Sequence, residues 1–338
     1  MTSDLLRVGI LGVGRMGADH AERIAKRING ARLVAVSDIA TDRAHELAAS
    51  FDGVRAVDDA LELVADDKVD AVVIASPGFA HEQQVIACIE AGKAVLCEKP
   101  LTMDSASSLR LVELEVKAGR PLIQVGFMRR FDPEYAELKR LLDSGSLGRT
   151  LMVHNTHRNK DTPPGFVSEM IVRDSLVHEV DVTRWLFGEE IAQIQVLAPT
   201  STSVAGEGVL DPQIAIFTMA GGGIATNEVF VNTGTGYEVR CEAVAEHGNA
   251  TIGLGSGPLL RQDNHAGTHI PEDFRDRFAT AYDLEVQAWV DACRRGEVVG
   301  PTTWDGYAAA VVCTAGVESL TTGRPVTVEL APRPTSAV

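Results

Sequence analysis

Three short stretches of this chain hold residues suited to one reaction. Gly12-Val13-Gly14-Arg15-Met16-Gly17 has the glycine pattern of a loop that cradles a pyrophosphate. Gly12 would permit a tight turn, Gly14 would let backbone approach the phosphates, and Gly17 would let strand and helix pack closely. Glu98-Lys99-Pro100 would hold an ammonium at a strand end, stiffened by a proline that fixes its own φ and restricts that of Lys99. Asp174 and His178 stand four apart on an expected helix, so their side chains would share one face. The carboxylate could then orient the imidazole and stabilise its protonated form. Asp181, three residues beyond His178, is a rival partner that spacing leaves open. Together these groups predict nicotinamide-dependent oxidation of an alcohol. Hydride would leave to the nicotinamide, and His178, with an ordinary pKa near roughly 6.5, would take the hydroxyl proton. Lys99 would stabilise alkoxide character on the same oxygen.

The surrounding chain alternates between strand and helix. Leu6–Leu11 reads as an apolar strand running straight into the glycine loop, and His20–Ile28 follows with apolar residues at helical spacing. Strands are expected at 33–38, 71–75, 94–97 and 122–125, with helices at 44–50, 81–91 and 104–118 between them. Near-continuous apolar strands separated by helices imply an α/β, doubly wound parallel sheet covered on both faces. Its helix N-terminus would offer N–H groups and partial positive charge to phosphates. Asp38 ends the second strand, where a carboxylate can accept both adenosine ribose hydroxyls and repel a 2′-phosphate, which favours NAD over NADP. Arg15, within the loop, could instead face a 2′-phosphate, bind the pyrophosphate or point to solvent.

After Phe127 the texture changes. A helix is expected at 134–143, a strand at 150–157 and a helix at 169–187 that carries Asp174 and His178. Strand then follows strand from 192 to 254, with Gly221-Gly222-Gly223 as a hairpin signal, before helices return at 283–295 and 305–322. That pattern predicts an α+β second domain built on a large, mainly antiparallel open sheet, with domains at 1–126 and 127–338.

Composition narrows the partners. A length of 338 residues with 45% hydrophobic and 23% charged content suits a two-domain soluble protein. The formal net charge of −16 argues against nucleic acid and anionic lipid as partners. No apolar run reaches the roughly 18 residues that a spanning helix needs. Met1–Asp4 leads directly into a strand without a signal-peptide core. Cys88, Cys97, Cys241, Cys293 and Cys313 are scattered and odd in number, as expected of reduced thiols in a cytoplasm. His154, His157, His265 and His269 lack partnering cysteines or a His-Glu-x-x-His pattern, so no metal is expected.

With Lys99, Asp174 and His178 in view, the chain resembles the Gfo/Idh/MocA family of sugar and polyol oxidoreductases from Gly9 to about Glu329. The glycine loop, Ala75-Ser76-Pro77 with His81, Glu98-Lys99-Pro100 and the Asp-x-x-x-His pair stand in family order. Gly126–Asp132, Ser175–Asp181 with Trp185-Leu186, and Gly236–Val239 are similar to segments of the bacterial members that oxidise inositol at its 2-position. The resemblance implies a Rossmann domain that contacts NAD through Gly12, Gly14, Arg15, Met16, Gly17, Asp38, Ser76, Pro77, His81, Glu98 and Lys99. It implies a polyol pocket lined by Lys99, Arg129, Asn159, Asp174, His178 and Tyr237, and a C-terminal sheet whose other face builds a homotetramer. The first expected substrate is myo-inositol, oxidised to its 2-keto form in inositol catabolism. Scyllo-inositol, glucose, an anhydrosugar, a redox-neutral NAD-using glycosidase and an NAD sensor are the alternatives.

Overall fold

The computed structural model describes residues 5–255 and 259–334, apart from the side chains of Gln262 and His265. The leader expectation on Met1–Asp4 and the metal reading of His265 lie outside the described residues.

The first half follows the expected alternation: β1 (Leu6–Leu11), α1 (Arg15–Lys26), β2 (Ala31–Ser37), α2 (Thr41–Ala49), β3 (Arg55–Ala56), α3 (Ala60–Ala65), β4 (Ala71–Ile74), α4 (Gly78–Glu90), β5 (Ala94–Glu98), α5 (Ser105–Lys117) and β6 (Ile123–Gly126). These strands form one parallel sheet in the order β3-β2-β1-β4-β5-β6, the doubly wound dinucleotide-binding arrangement. All four residues of β4 are fully buried, as a central strand covered on both faces requires. Asp59 and Asp104 start α3 and α5 by accepting hydrogen bonds from backbone N–H groups in the first turn. α1 begins at Arg15, earlier than its apolar periodicity suggests, so Arg15, Met16 and Gly17 are its first turn.

The second half contains α6 (Pro133–Asp143), β7 (Thr150–Arg158), a short α7 (Ser168–Met170), a π-helical stretch Ile171–Leu176, α8 (Val177–Phe187), β8 (Ile191–Leu197), β9 (Gln213–Met219), β10 (Ile224–Phe230), β11 (Glu238–Ala245), β12 (Gly248–Ile252), the hairpin β13 (Leu260–Gln262) and β14 (His265–Gly267), α9 (Phe274–Cys293), α10 (Thr303–Thr322) and β15 (Val326–Thr327). Seven strands form a sheet ordered β12-β11-β7-β10-β9-β8-β15. Within it only β7 and β10 pair in parallel; every other pairing is antiparallel. The triple glycine does make the β9–β10 turn, with Gly222 at φ +88°, a conformation that favours glycine.

The chain divides into two compact units, and the division differs from a single cut at 126/127. One unit holds residues up to Met128 together with Tyr282–Ala310 and the segment from Ala331 onward, while the other holds Arg129–Ala281 and Val311–Leu330. Burial explains the exchange. Val286, Trp289 and Val290, late in α9, share one core with Val8, Ile10, Ile24, Leu33 and Val36 of the first unit. Helical periodicity marks these residues as buried but does not say which sheet they cover.

Among the described residues, no helix is long and apolar enough to cross a membrane.

Candidate active site

In the first unit the three glycines are required for three different reasons. A Cβ at Gly12, where φ is +85°, would overlap the Ser76 backbone, and one at Gly17 would overlap the Gly12 carbonyl oxygen. A Cβ at Gly14 would meet nothing within 4 Å, so open space lies where a phosphate would approach. Gly14 is also the N-cap of α1 and supplies no side-chain cap, leaving that helix end to a ligand. These features fit a dinucleotide pyrophosphate. Gly17→Ala should therefore destabilise the fold by about 1–3 kcal/mol through overpacking and weaken NAD binding with it. Thermal denaturation and NAD titration check this, and unchanged NAD affinity would reject the loop as the site.

Asp38 follows β2 and holds the loop. Its Oδ2 accepts from the Val13 N–H at 2.7 Å and its Oδ1 from the Ala40 N–H at 2.8 Å, with Arg43 Nη1 3.9 Å away. Arg15 is exposed on the first turn of α1. Asp38→Ser should lower the preference for NAD over NADP by about tenfold or more, since like charges brought face to face cost several kcal/mol. The ratio of kcat/KM for the two cofactors measures it.

Lys99 follows Glu98, the last residue of β5, and so stands half-buried at the carboxyl end of the parallel sheet. Ser76 and Pro77 lie between the neighbouring β4 and α4, and Pro77 is the N-cap of that helix. Two residues expected at the cofactor also have partners within the protein. His81 is 1% exposed, with Nδ1 2.7 Å from the Pro100 carbonyl and Nε2 2.9 Å from the Ser76 carbonyl. Burial pushes the imidazole below its ordinary pKa, and the neutral ring donates its single N–H to one of these two carbonyls. Glu98 is likewise buried and takes His20 Nε2 at 2.8 Å on its carboxylate. Both thereby brace the strand ends.

In the second unit His178 lies in the first turn of α8 and is 8% exposed. Asp174, however, falls in the π-helical stretch that precedes it, so the pair does not lie on one regular α-helical face. A π-turn inserts an extra residue and is often found at functional sites; no proline or glycine in Ile171–Leu176 signals it. Asp181, the rival partner, is 1% exposed and accepts from Arg130 Nε at 3.0 Å and Nη2 at 2.5 Å. Both Asp181 oxygens thus accept from Arg130 in a bidentate pair.

Arg129 is fully buried, with Nη1 on Glu179 and Nη2 3.2 Å from His157 Nδ1. Its guanidinium thus answers a buried carboxylate, a role its sequence motif did not suggest. Tyr237 is 5% exposed, and burial pushes its hydroxyl pKa up to about 12. Asn159 is anchored by its backbone, donating to Phe230 O at 2.9 Å and accepting from Thr233 N at 3.0 Å. Its side-chain Oδ1 is buried without a hydrogen-bond partner in the protein, as suits an acceptor awaiting a hydroxyl. The sequence did not point to Glu179 and His157 as partners of Arg129. The only signal was a glutamate set among the apolar residues of Leu176–Val182.

Among the described residues no group of three or more His, Cys, Asp or Glu side chains is placed to hold a metal ion. Comparison with known proteins decides the class. Residues 6–127 match the Gfo/Idh/MocA oxidoreductase family, NAD-binding Rossmann fold, and residues 135–251 match the Gfo/Idh/MocA C-terminal domain. This chain belongs to the Gfo/Idh/MocA family. Among its curated relatives, an inositol 2-dehydrogenase of Mycolicibacterium gilvum is 56% identical over 334 residues, covering 98% of this chain and 95% of that protein. Inositol 2-dehydrogenase 4 of Saccharopolyspora erythraea is 53% identical, covering 99% of each. The crystal structure of myo-inositol dehydrogenase from Lactobacillus casei in complex with NAD(H) and myo-inositol superposes with a TM-score of 0.94 at 35% identity, over 98% of this chain and 99% of that one. Scyllo-inositol dehydrogenase from the same organism, with bound NAD(H) and scyllo-inositol, gives 0.88 at 26% identity, over 96% and 99%. Residues 6–127 of this Gfo/Idh/MocA member are its NAD-binding Rossmann domain.

Proposed function

We infer that this chain is an NAD-dependent inositol 2-dehydrogenase that oxidises a ring secondary alcohol to a ketone, with myo-inositol as first substrate. The observation that carries this is 56% identity to an inositol 2-dehydrogenase over nearly the whole length of both chains, in a chain that keeps Lys99, Asp174 and His178. NAD, when bound, accepts the hydride. Gly12, Gly14 and Gly17 with the first turn of α1 hold its pyrophosphate, and Asp38 its adenosine ribose. His178 takes the hydroxyl proton, Asp174 orients the ring and steadies its charge, and Lys99 stabilises negative charge on the substrate oxygen. The products are the 2-keto ring, NADH and a proton. Arg129, Asn159 and Tyr237 line the polyol pocket, where each desolvated hydroxyl needs a polar partner.

The enzyme acts in inositol catabolism in the cytoplasm, where its five free cysteines stay reduced. The outer face of the seven-stranded sheet builds a homotetramer. Leu197, Ile214, Ile224 and Met152 point from it at 37–42% exposure, apolar surface that association would cover. Sedimentation of the purified protein tests the assembly.

The deciding assay follows NADH absorbance with purified enzyme, NAD and myo-inositol, then with scyllo-inositol, glucose and NADP. Sustained turnover with NAD and an inositol is expected. NAD binding without NADH from any polyol would overturn the reading and turn attention to a redox-neutral glycosidase or a sensor.

A further inference from the structure

Within the second unit three elements meet on one buried carboxylate. Glu179, from α8, is 0% exposed and binds Arg129 Nη1 through one oxygen. Its other oxygen lies 3.1 Å from Nδ1 of His157, which projects from β7 and is 3% exposed. The His157 ring stands edge-on to His178, with centroids 6.3 Å apart, and to Tyr237 at 5.6 Å. A buried carboxylate persists only when paired. Burial opposes the ionised form of Glu179, but Arg129 and His157 outweigh it, and the carboxyl lies below the usual range.

His157 Nδ1 faces two demands. Glu179 can only accept, and Arg129, whose Nη2 is 3.2 Å away, can only donate. A ring nitrogen of the neutral imidazole serves one of them. The carboxylate concentrates its charge on two oxygens, whereas the guanidinium spreads its charge over three nitrogens and is already neutralised by the same carboxylate. A lone pair on Nδ1 would therefore meet the larger repulsion. The proton belongs on Nδ1. The other groups acting on this cluster are Tyr135 from α6, Tyr237 and Cys241 at β11, His178 from α8 and Arg277 from α9. Tyr135, Tyr237 and Cys241 are all held protonated by burial.

We propose that Glu179 is a positioning residue that fixes His157 as the Nδ1–H tautomer, so that Nε2 presents a lone pair to a hydroxyl of the polyol. This rests on the polyol reading of the pocket. Arg129 is then chiefly the counter-ion that keeps Glu179 ionised, and His157 selects substrates that offer an O–H at that place.

The test is NMR of the protein labelled with ¹⁵N in its histidine rings, with NADH bound, before and after saturation with myo-inositol; His157→Gln assigns the signal. Expected are a protonated Nδ1 and a lone-pair Nε2 that shifts toward the hydrogen-bonded position when inositol is added. An Nε2–H tautomer in the wild type, or an Nε2 indifferent to saturating inositol, overturns the proposal. Glu179→Gln should erase the tautomer preference and raise KM for inositol by roughly 10–100-fold, the size of loss seen when the partner behind a metal-bound imidazole is removed, with NADH affinity unchanged. A purely structural glutamate would leave the tautomer alone, and that result overturns the proposal too. If Glu179→Gln does not fold, the wild-type spectra still decide. Failure to make NADH from any polyol would strike the dehydrogenase reading, while the tautomer in the substrate-free protein is read independently of it.

Discussion

Replacing His178 with alanine is expected to lower kcat by about 10²–10⁴-fold, the contribution of a positioned general base, while NAD still binds. The proposed base sits in the second unit and the glycine loop in the first, so losing the imidazole leaves the cradle of Gly12, Gly14 and Gly17 untouched. Stopped-flow turnover with inositol, beside a direct NAD titration, separates the two effects. Near-normal turnover would remove His178 from the mechanism. The aspartates sharpen the test. Asp174→Asn should reduce kcat far more than Asp181→Asn, because Asp181 is bound at both oxygens by Arg130. The Asp181 variant should instead lose thermal stability. The reverse order would make Asp181 the partner of the imidazole.

Arg129→Leu is expected to cost about 3–5 kcal/mol of stability, the penalty for leaving a buried charge without its partner. Glu179 is completely enclosed, and its oxygens face Arg129 and His157. The pH dependence carries the sign. In the wild type the carboxyl is held below its ordinary value of 4.5. Its contribution is therefore present above that value and lost as pH falls through the lower, folded-state value. Without the guanidinium, burial dominates and the folded-state value rises above the unfolded one. The variant then gains stability on acidification from neutral pH, so the gap between the two proteins narrows toward mildly acidic conditions. Urea denaturation across that range measures both curves. A variant as stable as the parent at neutral pH would show that the pair is dispensable.

Much of the molecule was legible along the chain because the signals are local. Strands such as Ala71–Ile74 are buried on both faces and read as unbroken apolar runs. The glycine loop depends on φ values and close approaches that few other residues could meet, so its meaning is written in residue type. Lys99 at a strand end and the triple glycine at a hairpin are readable for the same reason. Each needs only its own neighbours.

Other features depend on partners distant in sequence. That α9 passes from one unit to the other follows from which core takes Trp289, and helical periodicity reports burial without naming the neighbour. No local residue signals the π-helical stretch that holds Asp174. That Asp181 carries Arg130, 51 positions away, on its carboxylate came only with the folded chain. Glu179, on the sequence an ordinary helix glutamate, became the centre of a buried charge cluster because Arg129 and His157 arrive from two other elements. Fold class and the geometry of the glycine loop could thus be read from residue order. The pairing of charges came only with the folded chain, because the energy of a buried charge depends on its enclosure and its nearest opposite charge, and neither is a local property of the chain.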